Sequence, residues 1–178
     1  GPFIAASDYM KIVPDQVRAV QELAARTVTR TGADRHLVDF GQNFAGRVRL
    51  TVRGLAPGAR VTIRHGEALA DDGALYTDNL RTAAATDVLI AGGEAETVFE
   101  PRFTYHGFRY AEVTGLPALD AADITGVVLH NDTPWTGDFA CSDPDVERLY
   151  QAIRWGQRSN FVSVPTDCPQ RDERLGWL

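Results

Sequence analysis

Hydrophobic and polar positions change their period as the chain is followed. Between Asp15 and Arg26, Val17, Val20, Leu23 and Ala24 are at helical spacing, and Thr27-Val28-Thr29 follows with strand character. Residues 1–32 read as an N-terminal lead-in. From Leu37 the period is two: Val48, Leu50 and Val52 alternate with Arg47, Arg49, Thr51 and Arg53, and then Gly54 and Pro57-Gly58 turn the chain. Val61 and Ile63 alternate with Arg60, Thr62 and Arg64, which predicts a β-hairpin with one wet face. Shorter strands are expected over 87–90, 97–100, 102–105, 109–114 and 124–130, separated by Gly92-Gly93, His106-Gly107 and Gly115-Leu116-Pro117. Short strands with no long helix between them predict a mainly β fold, an antiparallel β-sandwich over 33–131 that buries Val48, Leu50, Val52, Val61 and Ile63.

After Trp135-Thr136-Gly137 the period becomes helical. Asp143 is placed to cap a helix and Pro144 to open it, where a missing N–H costs nothing. Val146, Leu149, Tyr150 and Ile153 then form one apolar stripe. No second helix follows to cover it, so residues 132–178 read as a linker plus the start of an all-α domain that is cut off, and the stripe favours self-association.

Composition narrows the classes of function. The 178 residues are 44% hydrophobic and 24% charged, as in an ordinary soluble globular domain, and not as in a disordered or disulfide-framework chain. The net charge is −6 with no basic run, so nucleic acid is not an expected partner. Apolar runs fall far short of the ~20 residues that cross a bilayer, and no membrane association is expected. Gly1-Pro2-Phe3-Ile4 lacks a signal-peptide pattern. Cys141 and Cys168 make neither a disulfide framework nor a zinc set, which suits reduced thiols in a cytoplasmic protein. His36, His65, His106 and His130 lie in or beside strands and are expected to be structural, with no metal and no cofactor. Phe103, Tyr105, Phe108 and Tyr110 are near-alternate and read as core before sugar platform, and Asp71-Asp72-Gly73 reads as a turn before a calcium loop. Ser163 has no nucleophile-elbow context.

The densest chemistry is in the run from Asn160 to Trp177. Pro165 and Pro169 bar a regular helix, and Asp167, Asp172 and Glu173 are crowded together with Arg171, Arg174 and Trp177. A glycosidase needs a carboxylic acid to protonate the departing oxygen and a second carboxylate to act on water or the anomeric carbon. Composition alone favours a solvated turn in which Asp172 and Glu173 pair with Arg171 and Arg174.

The run Asp167-Cys168-Pro169-Gln170-Arg171-Asp172-Glu173-Arg174-Leu175-Gly176-Trp177 resembles the signature of bacterial α-L-rhamnosidases, glycoside hydrolase family seventy-eight. The resemblance continues through Trp155-Gly156-Gln157-Arg158, Cys141-Ser142-Asp143-Pro144, the stretch from Glu100 to Tyr110, Asn79-Leu80-Arg81-Thr82 and Asp39-Phe40-Gly41-Gln42-Asn43. It implies a concanavalin-like (jelly-roll) sandwich followed by an (α/α)6 barrel, here present only as its first helix and acid loop. It also implies an inverting, metal-independent release of terminal α-L-rhamnose from a rhamnose-containing glycoside. On this resemblance Glu173 is the general acid, and Asp167, Arg171 and Trp177 contact the sugar. The family's base glutamate lies further downstream, and its usual Gly-Trp-Thr-Gly-Asp is replaced here by Gly176-Trp177-Leu178. The chain is therefore expected to be an inactive fragment. An arginine paired with Glu173 would oppose its protonation, so Arg171 is expected to turn toward the sugar. The alternative is a non-catalytic carbohydrate-binding or interdomain sandwich module with the tail as a linker.

Overall fold

A computed structural model describes residues 16–173 and Gly176; Trp177 and Arg174, singled out above, lie outside the described residues. The strands are β1 (Val17–Ala24), β2 (Thr27–Arg30), β3 (Arg35–Arg53), β4 (Arg60–Gly66), β5 (Ala68–Leu69), β6 (Leu75–Tyr76), β7 (Thr86–Ile90), β8 (Glu96–Phe99), β9 (His106–Thr114) and β10 (Ile124–Asn131). One helix, α1 (Pro144–Asn160), and the two-residue strands β11 (Phe161–Val162) and β12 (Val164–Pro165) follow. The main sheet runs β1-β10-β3-β9-β4-β7 with antiparallel ladders, and β2 and β8 add to the two ends of β3.

Strand β3 organises the sandwich. Its 19 residues are too long for a single flat ladder, and its halves diverge. Arg35–Asp39 lie between β2 and β9, whereas Gly46–Leu50 pair with β10 and Leu50–Arg53 with β8. The strand curls the sheet around one core. Alternation fills that core with Val38, Phe40, Val48, Leu50 and Val52 from β3, Val61 and Ile63 from β4, Phe108, Ala111 and Val113 from β9 and Ile124 from β10. Phe40 meets Phe44 and Phe108 edge-on at 5.9 and 5.8 Å, contacts worth about 0.5–1.5 kcal/mol each beyond area burial. On the wet face Arg47 and Arg49 share Glu100, and Arg53 pairs with Glu96 and Asp123.

Three local expectations are corrected. Val17–Ala24 is an edge strand and not a helix: a bulge between Ala19 and Gln21 breaks the period of two, so Val20 and Leu23 both reach the core at a spacing that imitates a helix. β3 and β4 do not form a hairpin. The chain leaves β3 at Arg53 and rejoins the sheet on the far side of β9, so the two apolar faces meet through the core instead of side by side. Residues 102–105 form a loop in which Phe103 is fully exposed, while Phe108 alone of the four aromatics is fully buried.

The helix begins as its sequence requires. The Asp143 carboxylate accepts from the amides of Asp145 and Val146, a cap worth about 1 kcal/mol, and Pro144 occupies the first turn. It docks on the sandwich through Trp155 and through Ser159, whose Oγ accepts from the Ala45 amide at 3.2 Å. Val146, Leu149 and Ile153 face away and stay exposed. Among the described residues no helix is long and apolar enough to cross a membrane.

Candidate functional site

The tail after α1 folds back onto the sandwich. Ser163 sits at the tip of the β11–β12 hairpin with φ at 72°, a left-handed conformation that costs a non-glycine residue energy. Asn131, the last residue of β10, holds it there: its Oδ1 accepts from the Ser163 amide at 2.7 Å, and its Nδ2 donates to the Ser163 carbonyl at 3.3 Å. A bridge between Thr166 and Gly176 then draws together the ends of the loop that carries Asp167, Arg171 and Glu173. Cys168 and Pro169 are buried under this loop. Pro169 rests on Gly107 of β9 so closely that a Cβ there would stand 2.7 Å from Pro169 Cγ and 2.8 Å from the Gln170 amide nitrogen. Only glycine fits. A tail held in this way is not a linker.

Within the loop, Arg171 lies between the two candidate carboxyls. Its Nη2 is 3.6 Å from Asp167 Oδ2 and 3.3 Å from Glu173 Oε2, and its Nε donates to Cys168 Sγ at 3.2 Å. The expectation that Arg171 turns away from the acid is therefore corrected. Two carboxylates closed into one short loop need a counter-charge, and this guanidinium is within reach of both. Asp167, Cys168 and Glu173 offer possible metal-ligand atoms within 4.8 Å of one another, but the guanidinium fills the place a cation would take.

Asp167 and Glu173 differ in surroundings. The Asp167 side chain is 13% exposed and that of Glu173 38%. Burial pushes the Asp167 carboxyl up, but hydrogen bonds from the Cys168 thiol and amide, and one from Glu173, outweigh it and leave the group below its ordinary value. Its Oδ1 is buried and accepts from nothing among the described residues, which leaves an acceptor open to a donor such as a hydroxyl.

The sandwich supplies further contacts that the sequence did not assign. Arg81 Nη1 donates to Glu173 Oε1 at 2.8 Å, and the Thr82 hydroxyl donates to Asp172 at 3.3 Å, across 92 and 90 positions of chain. The motif Asn79-Leu80-Arg81-Thr82 was visible, but nothing local signals such distant partners. Beside it, Ala83, Ala84, Ala85, His106, Gln170, Arg171 and Asp172 line a cleft of about 290 Å³.

Behind that cleft lies a buried cluster. His106 Nε2 donates to Asp87 at 3.1 Å, and the His65 ring stacks on His106 with centroids 4.2 Å apart. His65 Nδ1 faces the Ala85 carbonyl at 2.9 Å, and since a carbonyl only accepts, this nitrogen carries the hydrogen. Its Nε2 is buried without a hydrogen-bond partner among the described residues. Burial first, and then the neighbouring His106, press the His65 pKa down from 6.5 to about 3. The two Nε2 atoms converge on Asp87 Oδ2, at 3.8 Å from His65 and 3.1 Å from His106, and ligand atoms of the three residues lie within 4.8 Å of one another.

Comparison with known proteins follows this geometry. Residues 29–130 match the family described as the bacterial alpha-L-rhamnosidase concanavalin-like domain, and residues 134–178 the bacterial alpha-L-rhamnosidase 6 hairpin glycosidase domain. An alpha-L-rhamnosidase of Streptomyces avermitilis is 51% identical over 166 residues, which is 93% of this chain and 16% of that protein. The structure of alpha-L-rhamnosidase from Dictyoglumus thermophilum superposes with a TM-score of 0.89 at 42% identity, covering 93% of this chain and 19% of that one. The Streptomyces avermitilis enzyme complexed with L-rhamnose superposes at 0.88 and 51% identity, covering 93% and 16%. The chain thus spans less than a fifth of the length of these relatives.

Proposed function

The chain belongs to the bacterial α-L-rhamnosidases, and from that membership we propose that it carries the acid half of a site that releases terminal α-L-rhamnose with inversion at the anomeric carbon. The observation that supports the reading most is the pairing of unlike carboxyls across Arg171. Two such groups in one loop do not ionise independently. Asp167 is the one held below its ordinary range, so it takes the carboxylate role, with its open Oδ1 directed to sugar hydroxyls. Glu173, the more exposed of the two, takes the proton-carrying role from its place in the family signature. In the reaction the Glu173 proton passes to the glycosidic oxygen as the C–O bond breaks, and that oxygen keeps the bonding electron pair. Arg171 lies between the two carboxyls and serves as a donor to the sugar, and the family signature gives Trp177 a sugar contact as well.

Inversion needs a second carboxylate ~6.5–9.5 Å from the acid to activate water on the opposite face of the sugar. Glu173 cannot perform both steps, so the chain alone is expected to show no turnover of an aryl α-L-rhamnoside. The assignment is tested with Glu173→Gln in the enzyme containing the remaining barrel, on one substrate with a poor leaving group and one with an activated leaving group. Loss on the order of 10²–10⁴-fold on the poor leaving group, and far less on the activated one, is expected of a general acid. Equal losses would make Glu173 a binding or structural residue.

A further inference from the structure

We propose that Arg81, a residue of the sandwich, is a positioning residue of the glycosidase site: it orients the Glu173 carboxyl and meets the charge that forms there when the proton leaves. The inference rests on the reading of Glu173 as the acid. The segment that carries Arg81 is anchored at both ends and projects between them. Leu80 is buried in the sandwich, and the Ala85 carbonyl accepts from both the backbone amide and the Nδ1 of His65 at 2.9 Å. His65 is itself backed by the stacked His106 and its Asp87 partner. Between the anchors the backbone is forced out of the ordinary regions, with φ of 56° at Arg81 and 43° at Ala85. Such conformations persist only where their surroundings over-determine them, and they collect at functional sites. Arg81 is 65% exposed on its side chain, so core packing does not explain the strain. The contact made at its end is with Glu173 Oε1 at 2.8 Å, and the neighbouring Thr82 holds Asp172.

The geometry places Arg81 on the leaving-group side. An acid must bring its carboxyl within about 2.6–3.2 Å of the oxygen it protonates. A guanidinium 2.8 Å from that same carboxyl then borders the leaving group as well. Among the described residues, the charged groups facing Glu173 are Arg81 from the sandwich, and Arg171 and Asp167 from its own loop, with the Cys168 thiol beside Asp167. Arg171 is shared with Asp167 and Cys168, whereas Arg81 directs its ion pair to Glu173.

The test uses Arg81→Gln, Arg81→Lys and Glu173→Gln in the enzyme with its barrel present, assayed on the two leaving groups. Arg81→Gln should lower kcat by roughly 10- to 100-fold on the poor leaving group, as loss of a charge-assisted hydrogen bond does. It should lower kcat much less on the activated one. Arg81→Lys should recover part of kcat on the poor leaving group. If Arg81→Gln costs both substrates equally, or Arg81→Lys is no better than Arg81→Gln, while Glu173→Gln still discriminates between the substrates, the role of Arg81 is overturned alone. If Glu173→Gln does not discriminate, the acid assignment falls and takes this inference with it.

Discussion

Replacing Gly107 by alanine should separate the acid loop from the sandwich without unfolding either. The added Cβ would lie 2.7 Å from Pro169 Cγ, 2.8 Å from the Gln170 amide nitrogen and 2.9 Å from the Pro169 carbonyl carbon. Two of these neighbours are backbone, so no change of rotamer relieves the overlap, and a retreat of about 0.7 Å is needed to restore an ordinary 3.4 Å contact. One partner must move. Strand β9 is laddered on both sides, to β3 and to β4, whereas the loop is held by the Thr166–Gly176 bridge and a few side chains. The loop should yield. Overpacking costs about 1–3 kcal/mol where both sides stay in place, and a yielding loop sheds most of that cost. The melting temperature should therefore fall by no more than the roughly 2–4 °C that 1 kcal/mol produces in a domain of this size. Cys168 reports the movement directly, because it is 7% exposed in the docked loop whereas Cys141 is exposed and serves as an internal standard. Losing one to two kcal/mol of docking energy should speed thiol labelling of Cys168 by roughly 5- to 30-fold, with Cys141 unchanged. Slow labelling of Cys168 combined with a larger fall in melting temperature would mean that β9 gives way, and the reasoning about which partner is softer would be wrong.

His65 makes the fold sensitive to acid. Its folded-state pKa of about 3 lies below the ordinary 6.5, so the unfolded chain takes up the proton first; stability is complete above about pH 6.5 and falls as the pH drops toward 3. The slope from this residue approaches about 1.4 kcal/mol per pH unit in that window. His65→Asn, whose amide can still donate to the Ala85 carbonyl, should flatten the pH dependence of urea unfolding between pH 7 and 4.5, and parallel curves for the two proteins would refute the assignment. The exposed stripe of Val146, Leu149 and Ile153 should associate with a second copy when the chain is isolated. Sedimentation should show concentration-dependent dimers that Leu149→Glu abolishes, and a monomer at all concentrations would count against it.

Some of this molecule could be read from its residues and some could not, for definite reasons. Alternation in β3 and β4 identified Val48, Leu50, Val52, Val61 and Ile63 as core, because a period of two states which face a side chain takes. It says nothing about which strand lies alongside, so the hairpin was misread: β9, more than forty positions later, inserts between them. Asp143-Pro144 marked the helix start because capping is local chemistry. Val17–Ala24 looked helical because one bulged residue shifts the parity of an edge strand. The carboxylates of the acid loop were conspicuous as a cluster in sequence. Arg81 was not connected to them, nor His65 to Asp87 and His106, because long-range pairing brings those groups together and leaves no periodic trace.

The clamp between Asn131 and Ser163 also bears on how the molecule is made on the ribosome. Synthesis proceeds from the N-terminus at about 5–20 residues per second, so residues 132–178 emerge over a few seconds after the last strand of the sandwich. A hairpin forms in about 1–10 μs, far faster than the next residue is added. The β11–β12 turn therefore meets a side chain already fixed at the end of β10, and its unfavourable left-handed residue is captured on arrival. Pro169 of the acid loop then meets a finished template at Gly107, so the sandwich acts as a built-in assembly jig for the loop made after it.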